Sequence, residues 1–71
     1  MYTGYWVENS YIYGPRGYTQ YWFDGQYVFG PRGFTQYWLD GAQVFGPRGY
    51  TQFFFDGKHL HGPAAVLPWE A

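Results

Sequence analysis

The sequence predicts an all-β domain of four tandem β-hairpins closed around a pseudo-four-fold axis. Three observations carry that expectation. A sixteen-residue unit recurs without insertion or deletion at residues 2–17, 18–33, 34–49 and 50–65, which marks a repeat architecture. Turn-forming pairs punctuate the chain about every eight residues, leaving no room for a helix. Aromatic residues make up 28% of the chain, and large rings paired across strands let a short chain build a core.

Each unit reads as a long strand, a tight turn, a short strand and a second turn. In the second copy, Tyr18 to Phe23 is rich in aromatic and β-branched residues, a strand composition. Asp24-Gly25 follows, a preferred pair for a two-residue type I′ hairpin turn. Gln26 to Phe29 returns as the partner strand, and Gly30-Pro31-Arg32-Gly33 turns the chain again. Proline suits the first central position of a type I turn, and the closing glycine can take a left-handed conformation. Asp40-Gly41 and Asp56-Gly57 repeat the tight turn, with Glu8-Asn9 as its version in the first copy.

With Asp24-Gly25 at the tip, Phe23 opposes Gln26, Trp22 opposes Tyr27, Tyr21 opposes Val28 and Gln20 opposes Phe29. Strand alternation then places Thr19, Tyr21, Phe23 and Val28 on one face. The same face carries Tyr5, Val7 and Ile12, then Tyr37, Leu39 and Val44, then Phe53, Phe55 and Leu60. Tyr18, Gln20, Trp22, Tyr27 and Phe29 form the second face, aromatic but mixed. Two apolar faces call for cover on both sides. The expectation is therefore a miniature flower or propeller whose hairpins pack face to face around the axis. A small β-barrel and a two-sheet sandwich are the alternatives; a linear solenoid lacks its polar cap. The chain is one domain, 1–71, and the tail 66–71 is expected to pack on the first hairpin and close the ring, with Pro68 at an edge.

Four tandem units built on Tyr-Trp-x-Asp-Gly and Phe-Gly-Pro motifs resemble the bacterial four-fold β-flower domain. The resemblance spans residues 2–65 and implies four short repeats set as petals about a pseudo-four-fold axis. It implies no activity and no catalytic residue.

Composition narrows the function classes. Cysteine is absent and the net charge is −1, so disulfides and Cys-based zinc sites are excluded, and there is no strong nucleic-acid signal. Ser10 is the single serine and Lys58 the single lysine; no nucleophile, base and orienting acid can be assembled. The chain is thus read as non-enzymatic and without a cofactor. Lacking a signal-peptide pattern or an apolar spanning stretch, it is expected in the cytoplasm and off the membrane.

Candidate binding residues are those that follow the repeat without being required by it. Arg16, Arg32 and Arg48 share one turn position, Ala64 replacing the fourth. Displayed on one rim, three guanidinium groups suit an anionic small molecule or protein partner; the plainer reading is a solvent-facing turn arginine stacked on an aromatic ring. Glu8, Asp24, Asp40 and Asp56 form the opposite set, explained by turn chemistry alone. The domain should then carry one basic and one acidic rim, which makes self-association a further possibility. Gln20, Gln36 and Gln52, with Gly4 in the first copy, lie beside Trp22, Trp38 and Phe54; Trp6, Trp22 and Trp38 with the glutamines give a carbohydrate-binding alternative, with packing as the plainer role. His59 and His61 share a strand face and are read as packing residues, since a metal site needs a third ligand.

Overall fold

The computed structural model describes residues 1–71. Eight antiparallel strands run in sequence order around a closed barrel, each bonded to its chain neighbours, with β8 returning to β1. Long strands β1 (Tyr2–Glu8), β3 (Gly17–Asp24), β5 (Gly33–Asp40) and β7 (Gly49–Asp56) alternate with short ones. The short strands are β2 (Tyr11–Gly14), β4 (Tyr27–Gly30), β6 (Gln43–Gly46) and β8 (His59–His61). Each repeat thus supplies one hairpin, and the four close into a ring. The barrel is the form that ring takes. Hairpins join edge to edge through backbone hydrogen bonds instead of packing face to face, because closure leaves no unpaired sheet edge.

The tight turn lies one residue later than its sequence suggests. Asp24 pairs with Tyr27, Phe23 with Val28 and Trp22 with Phe29, so Gly25 and Gln26 form the loop. Gly25 has φ +65° while Gln26 does not enter the positive region, the pattern of a type II′ turn. Asn9 and Ser10, at φ 53° and 72°, give the first copy a type I′ turn instead. Relative to the expected pairing the register moves by two residues in total. Side chains alternate with period two, so both face assignments survive the shift.

The connections between repeats hold the barrel's bend. Ile12 opposes Tyr21, and the next pair is Tyr13 with Tyr18, so Thr19 and Gln20 bulge out of the ladder. Thr19 fills the gap: its Oγ1 donates to the Ile12 carbonyl at 2.7 Å and accepts from the Tyr21 N–H at 3.2 Å. Thr3, Thr35 and Thr51 make the same two bonds, to Leu60, Val28 and Val44 carbonyls and to Tyr5, Tyr37 and Phe53 amides. Bulges bend and twist a strand, which is how small barrels turn their corners.

Inward side chains form three layers of four. Ile12, Val28, Val44 and Leu60, one from each short strand, are wholly buried. Val7, Phe23, Leu39 and Phe55 pack toward the Asp-Gly end, and Tyr5, Tyr21, Tyr37 and Phe53 toward the Gly-Pro end. Eight strands enclose a space just wide enough for such layers. The last layer explains the first glycine of each Gly-Pro pair. A Cβ on Gly30 would stand 2.5 Å from Cδ1 and Cε1 of Tyr21, and Gly14 meets Tyr5 in the same way. The closing glycines take the left-handed conformation expected of them, Gly33 at φ +102°.

Outward rings cover one another. Trp6, Trp22 and Trp38 stack on Tyr13, Phe29 and Phe45, with interplanar angles of 16°, 18° and 16°. No second layer lies over them; Tyr27 and Phe34 stay 47% and 46% exposed. The expectation of cover on both faces fails here because stacked aromatic rings shield one another laterally on a convex wall.

The tail does not close the ring. Closure comes from β8 on β1, with Tyr2 opposite His61 and Trp6 opposite His59, and from a bond of 2.9 Å between the Gly62 N–H and the Met1 carbonyl. The tail crosses the Gly-Pro mouth instead. Leu67 and Pro68 are buried there, Trp69 meets Tyr21 and Tyr37 of the second and third repeats, and Pro68–Glu70 forms a 3₁₀ turn. Pro68 is therefore not in an edge strand. No helix is long and apolar enough to cross a membrane.

Gly30→Ala is expected to destabilise the barrel by about 1–3 kcal/mol, the usual cost of overpacking. Combining it with Tyr21→Ala should cost less than the sum of the single changes. Urea denaturation of the four proteins in that cycle measures the coupling, and strict additivity would remove the ring-on-glycine contact from the account.

Candidate functional site

The up-and-down path of the strands sends the two turn types to opposite ends. Gly-Pro-Arg turns form one rim and the Asp-Gly turns the other. Lys58 is the exception at the acidic end, standing where Ser10, Gln26 and Ala42 stand in the other copies. Glu70, carried by the tail, is the exception at the basic end, where its Oε2 accepts a 3.0 Å bond from the Tyr21 hydroxyl.

At the basic end the three arginines occupy three separate hollows. Arg32 lies with Tyr21, Phe34, Thr35 and Trp69 around a space of ≈ 580 Å³. Arg16 lies with Tyr5, Tyr18, Thr19 and Glu70 around ≈ 510 Å³. Arg48 lies with Tyr37, Tyr50, Thr51 and Ala71 around ≈ 560 Å³. The construction is the same each time: an inner-layer tyrosine of one repeat, the Pro-Arg-Gly turn, then the first aromatic and the threonine of the next repeat. The tail crosses between them, and no hollow holds two arginines. None of the three guanidinium groups lies within 4.0 Å of a carboxylate; the single close acid–base pair is His61 with Asp56 at 3.9 Å.

The tail shapes this rim unequally. Glu70 lines the Arg16 hollow and Ala71 the Arg48 hollow, while the Arg32 hollow is lined by no carboxylate. Trp69 lines the Arg32 hollow, and its buried indole Nε1–H meets no acceptor. Burial first, then the bond to Glu70 and its negative charge, raise the Tyr21 phenol above the ordinary tyrosine value of 10.0; Arg32 pulls it down. The folded state thus favours the neutral phenol. Its contribution to stability is complete below that value and is lost as pH rises through the raised folded pKa.

Other sequence candidates fall elsewhere. Gln20, Gln36 and Gln52 occupy the bulges, exposed and at φ 74°, 72° and 71°. Gln20 therefore does not pair with Phe29. The first copy has Gly4 at the same place, at φ +94°. Trp6, Trp22 and Trp38 are half-buried on the outer wall and line none of the arginine hollows. His61 takes the stacking place of Phe29, against Phe54 at 5.4 Å and 14°, and His59 meets Tyr2 edge-on. What the sequence reading missed is Trp69. Its signal was available: an indole placed just past the point where the repeat stops.

No family model, curated protein or solved structure matches the chain. Of the resemblance to the β-flower domain, the structure carries the coarser statement, a small closed β domain built from tandem hairpin repeats.

Two outcomes follow from this geometry. A left-handed glutamine costs about 1–3 kcal/mol and glycine's extra chain entropy returns about 0.5–1, so Gln36→Gly should raise stability in urea denaturation. In a spectrophotometric titration, Tyr21 should ionise above pH 10.0, and Glu70→Ala should move its midpoint downward.

Proposed function

We propose that this barrel is a non-enzymatic binding module whose basic rim takes anionic groups, one in each arginine hollow. The observation that carries the reading is the set of three guanidinium groups, each free of a carboxylate partner and each set between an aromatic wall and a turn backbone. Arginine left unpaired in a hollow presents a planar fork of donors suited to phosphate, sulfate or carboxylate oxygens. The Arg32 hollow ranks first. It has no carboxylate in its lining, and Trp69 adds a second aromatic wall beside Tyr21 and Phe34. Repetition of one hollow around a rim favours ligands with several anionic groups, since linked contacts raise overall affinity without any new contact.

A second reading, a carbohydrate-binding module, draws on the half-buried Trp6, Trp22 and Trp38 of the outer wall. A third, self-association, draws on the exposed rings there, such as Tyr27 and Phe34, since aromatic patches often mark interaction surfaces.

Titration with inorganic phosphate and with tripolyphosphate, followed by amide shifts, tests the first reading. Tripolyphosphate is expected to bind tighter than phosphate, to shift residues 30–35 first, and to weaken as salt screens the rim. Arg32→Ala should cut affinity about tenfold, the scale of one lost charge-assisted contact. Unchanged affinity in the triple variant Arg16→Ala, Arg32→Ala, Arg48→Ala would overturn the proposal; glycan binding abolished by Trp22→Ala alone would favour the second reading.

A further inference from the structure

The acidic end holds a concavity that the arginine rim does not use. Its floor is made by Val7, Phe23, Leu39 and Phe55, one residue from the same position of each repeat, beneath a space of ≈ 430 Å³. Because each repeat contributes once, the floor lies across the pseudo-four-fold axis. Phe23 and Phe55, from opposite repeats, meet there edge to face with centroids 5.8 Å apart. No tail covers this mouth; the tail is spent on the other end.

We infer that this cup binds small organic ammonium ions, of the quaternary or alkylated kind. Shape and charge point the same way. Glu8, Asp24, Asp40 and Asp56 end the long strands and stand exposed around the mouth without lining the cup. A cation on the axis feels all four attractions add while their sideways pulls cancel. Lys58 is the one cationic side chain in the turns at this end, so the net field stays negative.

The floor then decides which cation fits. A bare metal ion requires oxygen ligands in contact, and an apolar floor supplies none. An ammonium ion clothed in methyl groups suits both parts of the site. Its alkyl surface sits on Val7 and Leu39, and its diffuse charge is attracted by the rings of Phe23 and Phe55. The carboxylates act at a distance and so select the sign of charge more than they add affinity.

Choline and its neutral isostere 3,3-dimethylbutan-1-ol separate these contributions on the unaltered protein. Choline should shift the resonances of Val7, Phe23, Leu39 and Phe55 and bind about three- to tenfold tighter than the alcohol, from cation–π attraction and the acidic rim together. Raising salt to about 0.5 M should shrink that ratio, since the rim charges are screened. The pair Asp24→Asn and Asp40→Asn should shrink it likewise, and Phe23→Leu should weaken choline more than the alcohol. Equal binding of choline and the alcohol overturns the inference, as does a choline titration that leaves the cup resonances in place. The phosphate titration of the opposite rim is read on residues 30–35, so either proposal can fail alone.

Discussion

A threonine hydroxyl in each repeat holds this barrel together. The long strand must bend between its two halves to follow an eight-stranded wall, and it bends by dropping two residues out of the ladder. That leaves a carbonyl on one strand and an amide on the other without partners, a cost of about 1–3 kcal/mol for each buried group. Threonine satisfies both with a single oxygen. The carbonyl it reaches belongs to the buried aliphatic residue of the preceding repeat, so the bond fastens each bulge to the core and each hairpin to the next. Thr3 makes the last of these bonds to Leu60 and joins the fourth repeat to the first.

Once the wall is bent, the interior is determined by size. A short strand of three or four residues turns one side chain fully inward, and these are Ile12, Val28, Val44 and Leu60. Larger rings fill the layer toward the Gly-Pro end, and they fit because glycine opposes them without a Cβ. One mouth remains wide enough for the tail, whose Leu67 and Trp69 fill it. The fourth repeat departs from the pattern at this same place. Ala64 and Ala65 stand where Arg and Gly stand in the other copies, and the chain there runs on into the plug instead of into another strand.

The two ends therefore differ although the wall is symmetric. One is basic, plugged and divided into three hollows; the other is acidic, open and centred on the axis. A repeated hairpin makes such polarity unavoidable, since every turn of one kind lies at the same end. The binding proposed for each rim rests on the placement of charge beside aromatic surface.

By itself the sequence determined the period, the strand and turn positions to within a residue, the inward and outward faces, and the separation of arginines from acids. These are local consequences of alternation and turn chemistry, and the faces withstood a register error because that error was even. Only the tertiary structure decided that the hairpins join by their edges, that Gln20, Gln36 and Gln52 sit in left-handed bulges, and that Trp69 plugs a mouth. An apolar second face reads the same whether another layer covers it or its own rings do. A bulge is visible only against the strand it fails to pair with, and a plug only against the opening that closure creates.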